Sequence, residues 1–210
     1  MRFLRLIAKA FAAAFAFGIA SVSLAGGGLL GIDHRVALDE RGIWGRSSQQ
    51  AALGLTITAV VATAFWEGGE SRLGKTSWQS IDSTLITAAT TTAGKFVFER
   101  ARPSQTDDPN KWFQGKGHYS FPSGEVAAMS AAVTPYVIEY HQTHPWVWAL
   151  ELLPAYDSIA RIKSQAHWQT DVLAGWAIGA VAGYYAHSLN SPWSLSIMPH
   201  SVQVGFRASW

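Results

Sequence analysis

Residues 51–66 form an uncharged, mostly apolar run of 16 that stops at Glu67-Gly68-Gly69-Glu70. No other feature constrains the chain as strongly, because a run of this length outlasts an ordinary strand and suits a helix. Further helical stretches follow it. Residues 78–101 read as a long helix with Pro103 just beyond its end. Residues 124–140 read as a helix that Pro135 should kink. Two more, 146–153 and 155–163, are separated by Pro154. The last, 171–187, carries Ala174, Gly175, Gly179 and Gly183, small residues that permit close helix contact. Residues 26–50 read as mixed loop with one short helix, and 104–121 as a turn-rich connection holding Asp108-Pro109-Asn110 and two glycines around Lys116. The pattern predicts an all-α fold, a compact bundle of five to six helices. The tail differs in kind. Val202, Val204 and Phe206 alternate with Gln203, Gly205 and Arg207, and residues 195–198 can pair with them across Pro199-His200-Ser201 as a short C-terminal β-hairpin.

Hydrophobic residues make up 49% of the chain and charged ones 14%, against a usual charged share of about a quarter, which excludes disorder. Residues 1–25 read as a secretory signal peptide. Arg2, Arg5 and Lys9 supply its positive end, residues 10–20 its apolar stretch, and Ser23-Leu24-Ala25 a small-x-small cleavage site. An uncleaved N-terminal anchor is the other reading, because residues 10–32 hold no charge. Either way residues 26–210 are expected to be exported, to the periplasm or the periplasmic face of the inner membrane. Without the three N-terminal cations, 13 basic side chains stand against 14 acidic ones, so no basic stripe exists for nucleic acid. None of the later runs reaches about 18 uninterrupted apolar residues, and the mean hydropathy of +0.10 is low for a polytopic protein. A bundle on the membrane's outer side is therefore favoured, with embedding as the alternative. There is no cysteine, which removes disulfides and thiolate metal sites.

Three blocks carry candidate chemistry. In the first, Lys95 and Arg102 stand seven residues apart on a predicted helix ending at Pro103, either a solvated helix end or a phosphate clamp. The second, Phe121-Pro122-Ser123-Gly124-Glu125, opens an apolar helix. Ser123 is either a plain N-cap or, with Gly124, part of an anion site at the helix N-terminus. The third runs from Arg161 through His167 to Asp171. At i, i+4, the Asp171 carboxylate is expected to accept one imidazole N–H and leave the other ring nitrogen free to attack. No second histidine or cysteine stands at ligand spacing beside it, which argues against a metal.

Taken together and in this order, the blocks resemble the type 2 phosphatidic acid phosphatase superfamily, which also contains bacterial acid phosphatases and vanadium haloperoxidases. The family pattern is Lys-x6-Arg-Pro, then Pro-Ser-Gly-His, then Ser-Arg-x5-His-x3-Asp. The resemblance covers roughly residues 50–190, and the spacing matches in the first and third blocks. It implies that Lys95, Arg102 and Arg161 bind phosphate oxygens with Ser123 and the Gly124 backbone, that His167 forms a phosphohistidine, and that Asp171 orients it. No metal and no cofactor is implied for phosphatase members. The expected activity is hydrolysis of phosphomonoesters or diphosphates, with lipid phosphates or polyprenyl diphosphates as substrates and a membrane surface as partner.

Two departures stand out. Ala160 replaces the serine before Arg161, removing a supporting hydrogen bond. Glu125 replaces the histidine that in the family protonates the leaving oxygen and later activates water. An ordinary Glu is ionised at neutral pH and suits the second step better than the first. The acid is then His118, five residues before Ser123, or the leaving group needs little protonation, as a diphosphate does. A vanadate-binding, haloperoxidase-like relative and a membrane scaffold that has lost turnover are the competing readings.

Overall fold

The computed structural model describes residues 27–189, 193–198 and 201–206. The expected signal or anchor, residues 1–25, lies outside them. Five α-helices are present among the described residues: α1 (Arg46–Glu67), α2 (Arg72–Phe98), α3 (Gly124–Tyr140), α4 (Leu152–Lys163) and α5 (Gln169–Ser188). The architecture is all-α, as expected. The C-terminal strands β1 (Trp193–Met198) and β2 (Ser201–Phe206) pair antiparallel with Leu195 opposite Val204. Ser201 pairs with Met198, so it belongs to the strand and not to the turn.

Helix α3 is the central element, packed on α5 and α2. Sequence explains the closeness. A Cβ added at Gly175 would meet the Ser123 carbonyl oxygen at 2.4 Å, one at Gly179 the Ala127 oxygen at 2.3 Å, and one at Gly183 Thr134 Cβ at 2.6 Å. Glycines spaced four apart thus clear a groove along α5 into which the α3 backbone sits. Ser130 Oγ donates to the Trp176 carbonyl at 3.0 Å across the same seam. On the other side, α2 buries Thr76, Ser80, Ser83, Thr87 and Thr91, small residues along one face that bring α2 near α3. Ser83 Oγ donates to the Ala131 carbonyl at 2.7 Å. That carbonyl sits four residues before Pro135, which has no N–H to give it, so a neighbouring hydroxyl supplies the missing bond and α3 continues through the proline.

Two boundaries differ from expectation. Helix α2 ends at Phe98, because Glu99 adopts a left-handed conformation (φ 40°, ψ 47°). Arg100 to Arg102 then run as irregular chain, and Arg102 does not share a helix face with Lys95. The stretch around 146–153 is a 3₁₀ segment (Pro145–Glu151), and Pro154 lies in the first turn of α4 instead of dividing two helices. In a first turn the N–H that proline lacks has no helical acceptor anyway.

Candidate active site

The site lies where the end of α2, the start of α3, the end of α4 and the start of α5 meet. The starts of α3 and α5 are joined by Ser123 N–H donating to the Asp171 carbonyl at 3.0 Å. This contact exists because Gly175, one turn further on, lets Ser123 come so near.

Lys95, in the last turn of α2, donates through Nζ to the carbonyls of Pro122 (2.8 Å) and Tyr119 (3.1 Å). Burial, then repulsion by Arg102, brings its pKa down from 10.5 to about 8. Arg102 donates to the Tyr119 and Ala166 carbonyls, each at 3.3 Å. Both cations therefore grip the loop that precedes Ser123 while keeping donors to spare. Arg161, buried in the last turn of α4, donates to Gln49 Oε1 at 2.9 Å, and its Nε has no partner among the described residues. Ser123 is fully buried, and its hydroxyl caps nothing and bonds to nothing among the described residues. Buried donors without acceptors are costly, and this cluster offers donors that an oxyanion could satisfy. A Cβ at Gly124 would approach Lys95 and Thr91 no closer than 3.6 Å, so packing alone does not demand glycine there.

His167 is buried and precedes α5 instead of lying within it. Its Nδ1 is 2.6 Å from the Ser120 carbonyl oxygen and 3.8 Å from Asp171 Oδ2. The expected imidazole–Asp171 hydrogen bond is thus corrected: 3.8 Å is too long, and Ser120 takes the N–H. Burial, with repulsion from Arg161 and Lys95, outweighs the attraction of Asp171 and pulls the His167 pKa down to about 4, so the ring is neutral. Asp171 serves other partners. It accepts from the Trp168 N–H at 2.9 Å, from Ser120 Oγ, and from Arg100 Nη1 at 2.5 Å.

Glu125 stands in the first turn of α3, and its carboxylate is held by Arg46, at 2.6 and 2.7 Å, with Arg161 at 3.8 Å. Burial pushes this carboxyl up, but Arg46 and Arg161 overcome it and the net shift is down. His118 adjoins Tyr119, whose carbonyl both Lys95 and Arg102 reach, but its own Nδ1 is turned to the Gly115 carbonyl at 3.2 Å. Its ring makes no hydrogen bond to His167 or Glu125 among the described residues.

Several participants carry little or no signal in the sequence. Fully buried Arg100 links Asp171 to Asp33, at 2.6 Å, and stacks over Trp112 at 4.2 Å. Its place in the Glu99-Arg100-Ala101-Arg102 run was the one available signal. Arg46, Gln49 and Asp157 had none. Asp157, one turn before Arg161, is fully buried with both carboxyl oxygens unpartnered among the described residues, and burial followed by the Glu125 charge pushes its pKa up to about 7.

Two curated relatives align over part of this chain. A lipid A 1-phosphatase from Porphyromonas gingivalis is 35% identical over 92 residues, 43% of this chain and 18% of the relative. An undecaprenyl-diphosphatase from Sulfolobus acidocaldarius is 29% identical over 100 residues, 46% of this chain and 47% of the relative. The chain thus spans less than half the length of either. The crystal structure of Aquifex aeolicus LpxE superposes at a TM-score of 0.45 and 17% identity, covering 72% of this chain and 99% of that one. The family description "PAP2 superfamily" matches residues 77–193, the segment that carries Lys95, Arg102, Ser123, Arg161, His167 and Asp171, and the chain belongs to that superfamily.

Proposed function

We propose that this protein is a phosphatase that hydrolyses lipid phosphates or polyprenyl diphosphates through a phosphohistidine on His167, at the periplasmic face of a membrane. The observation that carries the reading is a neutral, oriented imidazole beside three cations and an unpartnered serine hydroxyl.

In this mechanism Lys95, Arg102 and Arg161 neutralise the phosphoryl oxygens, with Ser123 Oγ and the N-terminal amides of α3 completing the cradle. The lone pair of His167 Nε2 attacks phosphorus, the P–N bond forms, and the bond to the leaving oxygen breaks in line. Water then attacks the phosphohistidine while Glu125 takes its proton, and the P–N bond breaks to release phosphate. The names of both relatives support a lipid-linked substrate.

The surface supports a membrane setting. Helix α1 is long and apolar enough to cross a membrane by length and composition, and little of it is buried. Helix α2 buries serine and threonine while exposing Leu85, Phe96 and Val97. Helices that keep small polar residues inside and large apolar ones outside suit a lipid neighbour. The experiment is phosphate release by the purified full chain from a panel of lipid phosphates and diphosphates, with N-terminal sequencing of protein recovered from periplasm and membrane fractions. Absence of phosphate release across the panel rejects the reading.

A further inference from the structure

We infer that Arg46 is a positioning residue of the phosphate site, clamping Glu125 as a fixed carboxylate so that the site favours substrates whose leaving group is itself a phosphate. The inference rests on the phosphatase reading above and deepens it to diphosphates.

Arg46 opens α1, well ahead of the family segment that starts at residue 77. Its guanidinium meets Glu125 fork to fork, Nη1 to Oε2 at 2.6 Å and Nη2 to Oε1 at 2.7 Å. Both carboxylate oxygens are thereby used, and a protonated Glu125 would have to give up one of the two bonds. Gln49 ties the pair into the cradle. It is fully buried, accepts from Arg46 at 3.4 Å and from Arg161 at 2.9 Å, and donates to the Trp44 carbonyl at 2.7 Å. The position is not chosen for helix stability, since a cation at the first residue of a helix opposes the helix dipole. Its partner across the site accounts for it.

The chemical consequence concerns the leaving group. A carboxylate fixed in its ionised form accepts a proton from attacking water but has none to give to a departing alkoxide. General-acid help at that step is worth about 10² to 10⁴ in rate. An alkyl diphosphate attacked at its terminal phosphorus expels an alkyl phosphate, a weak base that leaves without the proton. An alkyl monophosphate expels an alkoxide, which needs it.

The test uses the full chain as wild type, Arg46→Gln, and Arg46→Gln with Glu125→Gln, on dodecyl diphosphate and dodecyl monophosphate from pH 5 to 8. Wild type is expected to prefer the diphosphate by about 100-fold or more in kcat/KM. In Arg46→Gln the preference narrows by about tenfold, through relatively faster kcat on the monophosphate below pH 6, and the doubly substituted protein loses that acid-side gain. Equal losses on both substrates with an unchanged pH profile, or a wild-type preference near one, overturn the inference. A second readout needs no turnover: the carboxyl ¹³C titration of Glu125 should move to higher pH in Arg46→Gln, and an unmoved midpoint overturns the clamp. No turnover by wild type on either substrate would reject the phosphatase reading and the diphosphate preference with it, while the titration still decides whether Arg46 holds Glu125.

Discussion

His167 turns Nδ1 to the Ser120 carbonyl oxygen at 2.6 Å, and this contact decides which ring nitrogen carries the proton. A carbonyl only accepts, so Nδ1 holds the hydrogen and Nε2 holds the lone pair. Asp171 stands behind, at 3.8 Å, as part of a buried network with Arg100 and Ser120. Orientation and charge compensation, joined in one carboxylate in the expected arrangement, are divided here between a backbone oxygen and an ion pair.

His167→Ala is therefore expected to abolish turnover and phosphoenzyme while vanadate or phosphate still binds, because the cations and Ser123 remain. Asp171→Asn should act differently. It unbalances a fully buried ion pair with Arg100, a change that typically costs about 3–5 kcal/mol, so its melting temperature should fall well below that of His167→Ala. Acid-stable quantification of histidine-bound phosphate is unsuitable, so trapping at neutral or alkaline pH reads the first outcome and calorimetry the second. Substantial activity in His167→Ala would remove the nucleophile assignment.

The alkaline side of the pH profile should report Lys95. Its ammonium loses its proton near pH 8 instead of 10.5, because burial and Arg102 disfavour the charge. Binding of a phosphate needs that charge, so kcat/KM should decline as pH rises through about 8. Lys95→Arg keeps a cation at every working pH and should abolish that decline, at some cost in absolute rate from altered geometry. On the acid side, His167 stays neutral down to about pH 4 and should impose no limb near 6.5.

The seam between α3 and α5 gives a stability prediction. Gly179→Ala places a Cβ 2.3 Å from the Ala127 oxygen, and backbone has to move to admit it. We expect a loss of about 1–3 kcal/mol in chemical denaturation, and reduced activity as Ser123 shifts on the same seam. Gly54→Ala, where an added Cβ meets nothing within 4 Å, is the matched control and should leave stability unchanged or raised.

Which parts were legible in the sequence follows from the range over which each signal acts. Helices α1, α3 and α5 announce themselves by local apolar runs and their breakers, and the glycine spacing of 175, 179 and 183 points to close packing before any partner is known. Ends were less legible. The left-handed turn at Glu99 comes with Arg100 being drawn to Asp33 and Asp171, 67 and 71 residues away, and no local propensity encodes that. Lys95, Ser123, Arg161 and His167 were found because their spacing is a motif. Arg46, 79 residues from Glu125, was not, since a single arginine at a helix start looks like any solvated charge until the fold pairs it.

Asp157 couples stability to pH. Its carboxyl is fully buried with no hydrogen-bond partner among the described residues, and burial, reinforced by the Glu125 charge, lifts its pKa from 3.8 to about 7. The folded state therefore holds this proton more tightly than the unfolded chain does. Between roughly pH 4 and 7 the unfolded chain releases a proton that the native protein retains, so the group's contribution is fully present below pH 4 and is lost as pH rises through 7. Asp157→Asn carries no ionisable proton and escapes that loss. Its stability relative to wild type should rise between pH 5 and pH 8, by an amount on the order of 1–3 kcal/mol. The same substitution leaves Arg161 one fewer negative neighbour, so phosphate binding should be equal or tighter at pH 8. Denaturation curves for both proteins at pH 5, 6.5 and 8 measure the difference. A gap that stays constant across the three would mean that Asp157 is already ionised at pH 5, balanced by Arg161 and Arg46, and that the buried carboxyl holds no extra proton in the folded protein.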